Sequence, residues 1–503
     1  MNARISASLA SRCLPLGVLI LVLHLCITFY FPNGLLQDPG IGWHLKSGEL
    51  ILKNQDVAGL EPFAWTVPDH EWIQIEWLFD ALIGALYNWG GLALVSAGSS
   101  FLFALICVLL LARMLHEGSN PVISIICTLG AYLVLSWHAL ARPHIFTYLF
   151  LISTLWLLHL YRERGGVRYL WPLVPMATLW CNFHGGFVVG LLVLFISAAG
   201  LAIDSLWNKD AQAREKIPPI VLFGILVGLA TLVNPYGLRL HIQIIEILGM
   251  ECLQLWNEFK PTTLTSPNIH IFVFEAFIVT LIILACTRGK SVRWEERIIL
   301  VVFLHYAFQA MRHVNLFIIA CAPVLARMMT LILQERFIRV WERGKVLSEQ
   351  QVRAFPTWIT VSIVIGFLWL GLSMVKPSFF GTQLAGSYLS SETADYLKAN
   401  RSKLGRLYNT NSLGGTLIYF LGPETKIFMD DRADLFEDAF VFETYLPIAR
   451  AEPGWDQRLD QMEIDSLILR RKDKLAEVAT EHPNWKSVYS DELNIVFVRQ
   501  NVR

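Results

Sequence analysis

Arginine and histidine residues beside helix-breaking prolines and glycines are the most chemically distinctive feature of this 503-residue sequence. Arg binds phosphate through paired hydrogen bonds, and His adds a further donor. These residues therefore predict a site for a phosphate-bearing ligand, although each motif alone also fits a helix end in the lipid headgroup region. The motifs are Ala141-Arg142-Pro143-His144, Asn182-Phe183-His184-Gly185-Gly186, Asn234-Pro235-Tyr236-Gly237 and Met311-Arg312-His313.

Asp38 stands apart among the carboxylates. It lies in the segment Gln37-Asp38-Pro39-Gly40-Ile41-Gly42-Trp43-His44, where Pro and Gly favour a tight irregular turn. A partly desolvated carboxylate beside a bound phosphate could take a proton from an incoming nucleophile. The alternative interpretation is a cap of the helix that begins near Trp43.

The histidines do not have the spacing of a metal site. None of the thirteen lies in an HExxH motif or another helix-spaced pair, so a metal held by His alone is not expected. A divalent cation that bridges carboxylates and phosphate stays open, and no other cofactor is indicated. The eight cysteines include no CxxC pair and are interpreted as small residues of membrane helices.

The elements that must position these residues are membrane helices. The chain is 54% hydrophobic and 16% charged, whereas a soluble domain carries about 25% charged residues. Its zero net charge gives no indication of a nucleic-acid partner. No small-residue cleavage site follows the first apolar stretch, which is therefore predicted to be a retained helix. About eleven crossings are predicted, at 14–31, 92–112, 121–137, 145–160, 170–181, 186–203, 218–233, 270–287, 298–310, 314–333 and 357–375.

The connections between these stretches differ in their content of Lys and Arg. With the N-terminus inside, the inner connections hold 18 such residues and the outer connections hold 6. This asymmetry predicts a multi-pass protein of the inner (plasma) membrane with a cytoplasmic N-terminus and an extracytoplasmic C-terminal domain. Ionisable groups at membrane depth are costly and usually line a cavity, so one outward-open site is expected. The polar residues on this outer side are Asp38, His44, His138, Arg142, His144, Asn182, His184, Asn234, Glu258, Arg312 and His313.

Two further regions complete the predicted architecture. The first outer loop, about 32–76, is acidic and rich in Trp, and 77–89 is predicted to be a membrane-parallel helix before Gly90-Gly91 turns the chain. A transmembrane domain over 1–378 and a soluble extracytoplasmic α/β domain over 379–503 with a partly parallel sheet are expected. Predicted strands are 405–409, 426–429, 465–469, 486–489 and 494–498, with helices near 390–399, 412–421, 455–462 and 472–480.

This arrangement resembles the GT-C class of membrane glycosyltransferases, which use polyprenyl-phosphate sugar donors. The class includes protein O-mannosyltransferases, aminoarabinose lipid A transferases and oligosaccharyltransferase catalytic subunits. The shared features are a cytoplasmic N-terminus, an acidic residue just after the first helix, and interfacial helices in a large first outer loop. The chain also resembles a bacterial family of this class through D-x-x-x-x-WH-x-x-x-G (Asp38 to Gly48), W-x-x-x-EWL (Trp72 to Leu78), N-x-HGG-F (Asn182 to Phe187), NP-x-G (Asn234 to Gly237), GG-x-L (Gly414 to Leu417) and D-x-R (Asp430 to Arg432).

The resemblance implies roles for the outer polar residues. Asp38 matches the acidic residue that acts as catalytic base in the class, and Glu76 is a second acidic candidate. Because Pro39 follows Asp38, the adjacent pair of acids seen in some members is absent. The expected substrate-binding residues are His44, Arg142, His144, Asn182, His184, Asn234, Glu258, Arg312 and His313.

The implied reaction is inverting transfer of a sugar from a polyprenyl-phosphate donor to a hydroxyl of a lipid, polysaccharide or protein acceptor, in contact with membrane lipids. The C-terminal domain is expected to help hold the acceptor, with Asp430, Asp431 and Arg432 facing the cavity or forming a surface ion pair. A transporter or lipid flippase with an outward vestibule is the alternative, although transporters usually show inverted repeats. A non-catalytic scaffold would leave the one-sided polar residues unexplained.

Overall fold

The computed structural model describes residues 16–500 except 58, 60, 69, 266, 267, 385 and 387. For residues 339–341 it describes the backbone but not the side chains. All eleven predicted crossings are helical in it, although residues 14 and 15 of the first lie outside the described part. The helices before residue 380 are α1 Leu16–Tyr30, α2 Ile41–Asn54, α3 Trp77–His116, α4 Pro121–Ser136, α5 His144–Arg164, α6 Leu173–Phe183, α7 Phe187–Trp207, α8 Ala211–Ala230, α9 Leu238–Gly249, α10 Ile269–Arg288, α11 Trp294–Gln309, α12 Val314–Arg336, α13 Ile338–Arg353 and α14 Phe355–Val375.

Within the described residues, six helices are long and apolar enough to cross a membrane. They contain α3, α5, α7, α10, α12 and α14, while α1 and α4 are apolar but shorter. The chain therefore has several helices suited to a membrane, and the number of eleven crossings stays a prediction.

The predicted turn at Gly90-Gly91 lies inside α3. Gly90 has φ −151° and ψ 18°, and Gly91 has φ 63°, so neither continues the helix. The positive φ of Gly91 is one that glycine adopts without steric cost. The bend separates a short first arm from the long apolar arm of α3, as the sequence indicated.

Helix α2 of the first loop packs against the first arm of α3 with their backbones in contact. A Cβ atom at Gly48 would overlap the carbonyl oxygen of Asp80, and one at Gly84 would lie 2.7 Å from the Gly48 carbonyl carbon. Only glycine permits this approach. The crossing places His44 of α2 beside Asp80 of α3.

The C-terminal region contains a four-stranded sheet in the order β1-β2-β4-β3. Strands β1 and β2 are parallel, while β4 is antiparallel to both β2 and β3, which confirms a partly parallel sheet. Three short helical turns between 433 and 449 were not predicted. The elements are α15 Ser391–Ala399, β1 Leu407–Asn409, α16 Asn411–Leu421, α17 Ala433–Phe436, a π-helical turn Phe440–Tyr445, α18 Leu446–Ala449, α19 Trp455–Gln461, β2 Ser466–Arg470, α20 Lys474–Glu481, β3 Trp485–Ser490 and β4 Asn494–Arg499.

The strand predicted at 426–429 is wrong as a member of this sheet. Ile427 instead forms an isolated parallel bridge with Ala64 of the first loop. Its N–H donates to Phe63 O at 2.8 Å, and its carbonyl accepts from Trp65 N at 3.0 Å. The backbone groups of Ile427 therefore find their hydrogen-bond partners in the first loop. This bridge joins the C-terminal region to the first loop.

A buried ion-pair network, here called the clasp, strengthens that junction. Arg432 donates to the two carboxylate oxygens of Glu61 at 2.7 and 3.0 Å and to Asp430 Oδ2 at 2.6 Å. The Arg432 guanidinium lies 4.4 Å from the ring centre of Trp72. Loop residues such as Trp72 also share one hydrophobic core with the sheet. The first loop and the C-terminal region are thus packed together around a shared core. The domain boundary between 378 and 379 stays a prediction.

Candidate functional site

A cavity of about 1260 Å³ lies where the first loop, one set of helix ends and the C-terminal sheet region meet. It brings together eight of the eleven predicted site residues, from connections that are far apart in sequence. This placement agrees with the expectation of one shared site on one side of the helices. The eight are Asp38, Glu76, Arg142, His144, His184, Glu258, Arg312 and His313.

One side of the cavity is an arginine cluster, formed by Asp38, Arg142, Glu258, Arg312 and Asp431. Arg142 Nη1 lies 3.3 Å from Asp38 Oδ2 and 3.9 Å from Glu258 Oε2. Arg142 Nη2 lies 3.2 Å from Asp431 Oδ2, and Arg312 Nη1 lies 3.6 Å from Glu258 Oε1. Three carboxylates thus converge on the guanidinium of Arg142, and the guanidinium of Arg312 also contacts one of them, Glu258.

The turn after Asp38 holds that carboxylate in place. Asp38 Oδ1 accepts from the N–H of Gly40 at 2.7 Å, one residue before α2 begins at Ile41. A Cβ atom at Gly40 would lie 2.5 Å from Asp431 Oδ2 and 2.9 Å from Asp38 Oδ1. Asp38 therefore stabilises the turn and faces Arg142 at the same time. The N-cap of α2 is Gly40 and no side chain caps it, so the interpretation of Asp38 as a helix cap is wrong, and its role as a base stays a prediction.

The arginines control the charge of the carboxylates around them. Burial alone would raise the pKa of Glu258, but Arg312, His138 and Arg142 hold it well below its usual value. Burial raises the pKa of Asp431 to about 7, with Arg142 opposing the rise and Asp38 adding to it. Asp431 also accepts a hydrogen bond from Trp43 Nε1 at 2.9 Å.

The other side of the cavity is a glutamate cluster, formed by Glu76, His184, His44 and Asp80. Glu76 Oε1 lies 3.6 Å from His184 Nε2, and Glu76 Oε2 lies 3.9 Å from His44 Nε2. His44 is fully buried, and its Nδ1 lies 2.6 Å from Asp80 Oδ1. The Glu76 side chain is 25% exposed and faces imidazoles, not a guanidinium within ion-pair distance.

The N-x-HGG-F segment sets the orientation of His184. The N–H of Gly186 donates to His184 Nδ1 at 3.0 Å, and Thr147 Oγ1 lies 2.8 Å from the same atom. Nδ1 is thus an acceptor, so a neutral His184 carries its proton on Nε2 and points it at Glu76. A Cβ atom at Gly186 would lie 2.7 Å from Nδ1, which is why glycine follows here.

Burial dominates the titration of the glutamate cluster. It raises the pKa of Glu76 to about 7, against the opposing charge of Arg142. It lowers the pKa of His184 to about 3 and that of His44 well below its usual value. The two imidazoles are therefore neutral at physiological pH, and Glu76 can hold or release a proton there.

The remaining histidines form a wall beside the arginine cluster. His144 Nε2 donates to the carbonyl of His138 at 2.9 Å, and their rings stack at 4.4 Å. His138 Nε2 in turn lies 3.4 Å from Glu258 Oε2. His313 Nδ1 lies 3.3 Å from the carbonyl of Tyr306, at the more exposed end of the wall.

Asn182, Asn234 and His44 do not line the cavity, and His44 is buried next to Glu76. Asn182 Nδ2 donates to the carbonyls of Thr178 and Val233 at 2.7 and 2.9 Å, and its Oδ1 accepts from Trp77 Nε1 at 2.7 Å. The Asn234 side chain donates to Thr231 O and Gly237 O and accepts from Tyr236 N, all within its own turn. Asn182 thus holds the segment that carries His184, whereas Asn234 holds the turn before α9.

Among the groups of the cavity wall that the sequence analysis missed are Asp80, Tyr148 and Asp434. Asp80 lies four residues after Glu76 in an apolar helix, and this spacing on one helix face is the signal that could have identified it. Of Asp430, Asp431 and Arg432, which were expected to face the cavity or form a surface ion pair, Asp431 and Arg432 line the cavity, while Asp430 is buried and pairs with Arg432. Burial raises the pKa of Asp434 to about 6.

The site residues do not form a metal-ligand set. Asp38, Glu258 and Asp431 direct their oxygens at the guanidinium of Arg142. In the described part of the chain, no group of three or more His, Cys, Asp or Glu side chains could hold a metal ion. A divalent cation that bridges carboxylates and a bound phosphate stays a prediction.

Comparison with solved structures supports the fold. No protein-family model and no curated protein sequence matches the chain. The apo oligosaccharyltransferase of Archaeoglobus fulgidus matches with a TM-score of 0.57 at 10% identity, over 96% of this chain and 74% of that chain. AglB from the same organism, in complex with an inhibitory peptide and a dolichol-phosphate, matches with a TM-score of 0.55 at 10% identity, over 90% and 69%. The chain therefore has the fold of these archaeal oligosaccharyltransferases, as the GT-C resemblance led us to expect.

Proposed function

We propose that this protein transfers a sugar from a polyprenyl-phosphate donor to an acceptor hydroxyl at the extracytoplasmic face of the inner membrane. The observation that carries the proposal is the composition of the cavity. Two arginines and several imidazoles lie beside carboxylates in a space of about 1260 Å³ at the helix ends. The fold shared with oligosaccharyltransferases supports it, because those enzymes act on lipid-linked donors.

The cavity has the two surfaces that such a donor requires. Arg142 and Arg312 can bind phosphate oxygens in paired hydrogen bonds. An apolar wall of Val189, Leu192 and Leu316 lies in the same cavity and suits the first isoprene units of a lipid. The dolichol-phosphate bound to AglB supports a lipid phosphate here.

In the proposed reaction, the acceptor oxygen attacks the anomeric carbon while the phosphate leaves with the bonding electrons. Arg142 balances the charge that develops on the leaving phosphate. The acceptor proton needs a carboxylate, and Asp38 and Glu76 are the two that the sequence predicted. The peptide in the AglB complex supports a protein acceptor, and lipid and polysaccharide acceptors remain alternatives within the same chemistry.

The side of the membrane is proposed from the distribution of Lys and Arg, 18 on one side and 6 on the other. A reporter enzyme that is active only in the cytoplasm, fused after Arg503, should therefore be inactive. Strong reporter activity would place the cavity on the cytoplasmic side.

The function is tested by removing the gene and comparing lipid extracts and surface glycans. Cells without the gene should lose one glycan and accumulate a polyprenyl-phosphate-linked sugar. The wild-type gene should restore the glycan, and Arg142→Ala should not. Arg239→Ala is the matched control, because Arg239 forms an exposed ion pair with Glu71 outside the cavity. Unchanged glycans and an unchanged donor pool would contradict the proposal.

A further inference from the structure

Asp80, His44 and Glu76 form a row that ends at the cavity. Asp80 Oδ1 lies 2.6 Å from His44 Nδ1, and His44 Nε2 lies 3.9 Å from Glu76 Oε2. Among the described residues, His44 Nε2 has no hydrogen-bond partner although it is buried. An unpaired buried polar atom is costly, so its direction toward Glu76 needs an explanation.

Aromatic rings keep His44 in this position. The Trp43 ring stacks on the imidazole with centroids 3.5 Å apart, and Phe79 contacts it edge-on at 5.2 Å. The short contact to Asp80 fixes the ring rotation. The imidazole therefore presents Nε2 to Glu76 as a fixed group that water does not reach.

The two imidazoles match the two protonation states of Glu76. His184 donates from Nε2, as its acceptor role at Nδ1 requires, and so it favours an ionised Glu76 at Oε1. A neutral His44 that donates from Nδ1 to Asp80 keeps a lone pair on Nε2, which accepts from a protonated Oε2. Both Glu76 distances exceed hydrogen-bond length, and a small side-chain rotation would close one or the other.

Resting on the proposed glycosyl transfer, we infer that Glu76 takes the proton of the acceptor hydroxyl and that the His44–Asp80 pair is its positioning unit. The acceptor O–H bond breaks, and its proton goes to Glu76 Oε2. The oxygen's electron pair forms the bond to the anomeric carbon, and the phosphate leaves with the electrons of the broken bond. Glu76 afterwards returns the proton to water through the cavity.

The surroundings of Glu76 support this role and differ from those of Asp38. Asp38 is ion-paired to Arg142 at 3.3 Å, whereas Glu76 has only imidazoles within 4 Å. The other charges that face Glu76 are those of Arg142 and Arg312 from the helix ends, Glu258 from the loop before α10, and Asp434 from the C-terminal region. Burial outweighs these opposing charges and raises the pKa of Glu76 to about 7.

An infrared pH titration of the full-length chain in lipid nanodiscs tests the inference without a substrate. The difference spectrum between wild type and Glu76→Gln isolates the carboxylic-acid band of Glu76. The titration midpoint of this band should lie near pH 7. Asp80→Asn should move that midpoint lower, because the new amide can donate to His44 Nδ1 and so turn Nε2 into a donor that favours the ionised Glu76. Glu49→Gln is the control, because Glu49 lies in α2 like His44 but pairs with Lys46. This variant should leave the band unchanged. A midpoint in the usual Glu range, or one that Asp80→Asn does not move, would overturn the inference.

The glycan assay of the gene-deleted cells separates this inference from the proposed function. If the glycan is lost with the gene but restored by Glu76→Gln, the function stands and the proton acceptor is another group. If the gene changes no glycan, the function fails, and with it the role of Glu76. Loss of the glycan in Glu76→Gln cells at wild-type protein level, together with the neutral titration, supports both.

Discussion

The two clusters of the cavity contain similar acids but differ in what stands opposite them. In the arginine cluster, Asp38, Asp431 and Glu258 each lie within 3.9 Å of Arg142. In the glutamate cluster, Glu76 faces neutral imidazoles at 3.6 and 3.9 Å. The first cluster is therefore suited to binding and orienting a charged ligand. Burial raises the pKa of both Glu76 and Asp431 to about 7, but Asp431 is held by Arg142, whereas Glu76 has no guanidinium within ion-pair distance. The second cluster is therefore the one suited to exchanging a proton.

Glu76→Gln is expected to have the largest effect on activity. The substitution keeps the volume and polarity of the side chain but removes the titrating carboxylate. Activity should fall by about 10²–10⁴-fold, the range typical of a lost general base. Glycan transfer at matched protein levels measures this loss of activity. Near-wild-type transfer would show that Glu76 does not take the acceptor proton and that the two clusters do not differ in this way.

The pH dependence sharpens the same comparison. The raised pKa of Glu76, about 7, means that the carboxylate is mostly protonated below that pH and ionised above it. Wild-type kcat/KM should therefore rise as pH increases through about 7 and then level off. A rate that stays flat from pH 6 to 8 would show that Glu76 does not control the reaction.

The arginine cluster also depends on the clasp, because the clasp joins the first loop, which carries Asp38, to the segment that carries Asp431. Arg432→Gln leaves Glu61 buried without its cationic partner, and this should reduce the free energy of unfolding by about 3–5 kcal/mol. Thermal unfolding of the purified protein measures the loss. Lys474→Gln, which breaks an exposed pair with Glu477, should cost about 0.5 kcal/mol or less. Equal losses in the two variants would contradict a structural role for the clasp.

Asp38→Asn is expected to have an intermediate effect. It weakens one ion pair of Arg142 but leaves Asp431 and Glu258 in place. A lost hydrogen bond to a charged group is worth about 1.5–3 kcal/mol, which corresponds to roughly a 10- to 150-fold loss of activity. The rise of activity with pH should persist in this variant. Loss of that rise together with a collapse of kcat would instead make Asp38 the base, as the GT-C resemblance implies.

Arg312→Ala should have the smallest effect of the series. Arg312 is a quarter exposed and contacts Glu258 at 3.6 Å and the Phe259 ring at 4.5 Å. We expect the donor KM to rise by about tenfold with little change in kcat, because an exposed contact contributes mainly to ground-state binding. A larger loss in kcat than in KM would place Arg312 at the leaving phosphate in the transition state.

Much of this arrangement was predictable from the sequence because it depends on local signals. The Gly90-Gly91 turn and four of the five strands follow from composition and spacing. Sorting polar residues by membrane side predicted that distant residues such as Asp38 and Arg312 would share a cavity. That sorting could not separate a ligand contact from a backbone cap, so Asn182 and Asn234 were included with the rest.

The parts that were not predicted depend on contacts between distant segments. The run 426–429 looks like a sheet strand, but its hydrogen-bond partner is the first loop. Asp80 lies in an apolar helix, and its importance appears only when the Gly48–Gly84 crossing brings His44 beside it. The clasp from Glu61 to Arg432 likewise spans most of the chain.

The most direct test of sugar transfer in this cavity uses the purified full-length protein in nanodiscs. The lipid fraction of gene-deleted cells, labelled in its sugars, provides the donor, and a membrane fraction of the same cells provides the acceptor. Wild type and Arg239→Ala should move label from polyprenyl phosphate to the acceptor fraction, whereas Glu76→Gln and Arg142→Ala should leave it on the lipid. Label that stays on the lipid with folded wild-type protein, or that moves equally with all four proteins, would contradict the account.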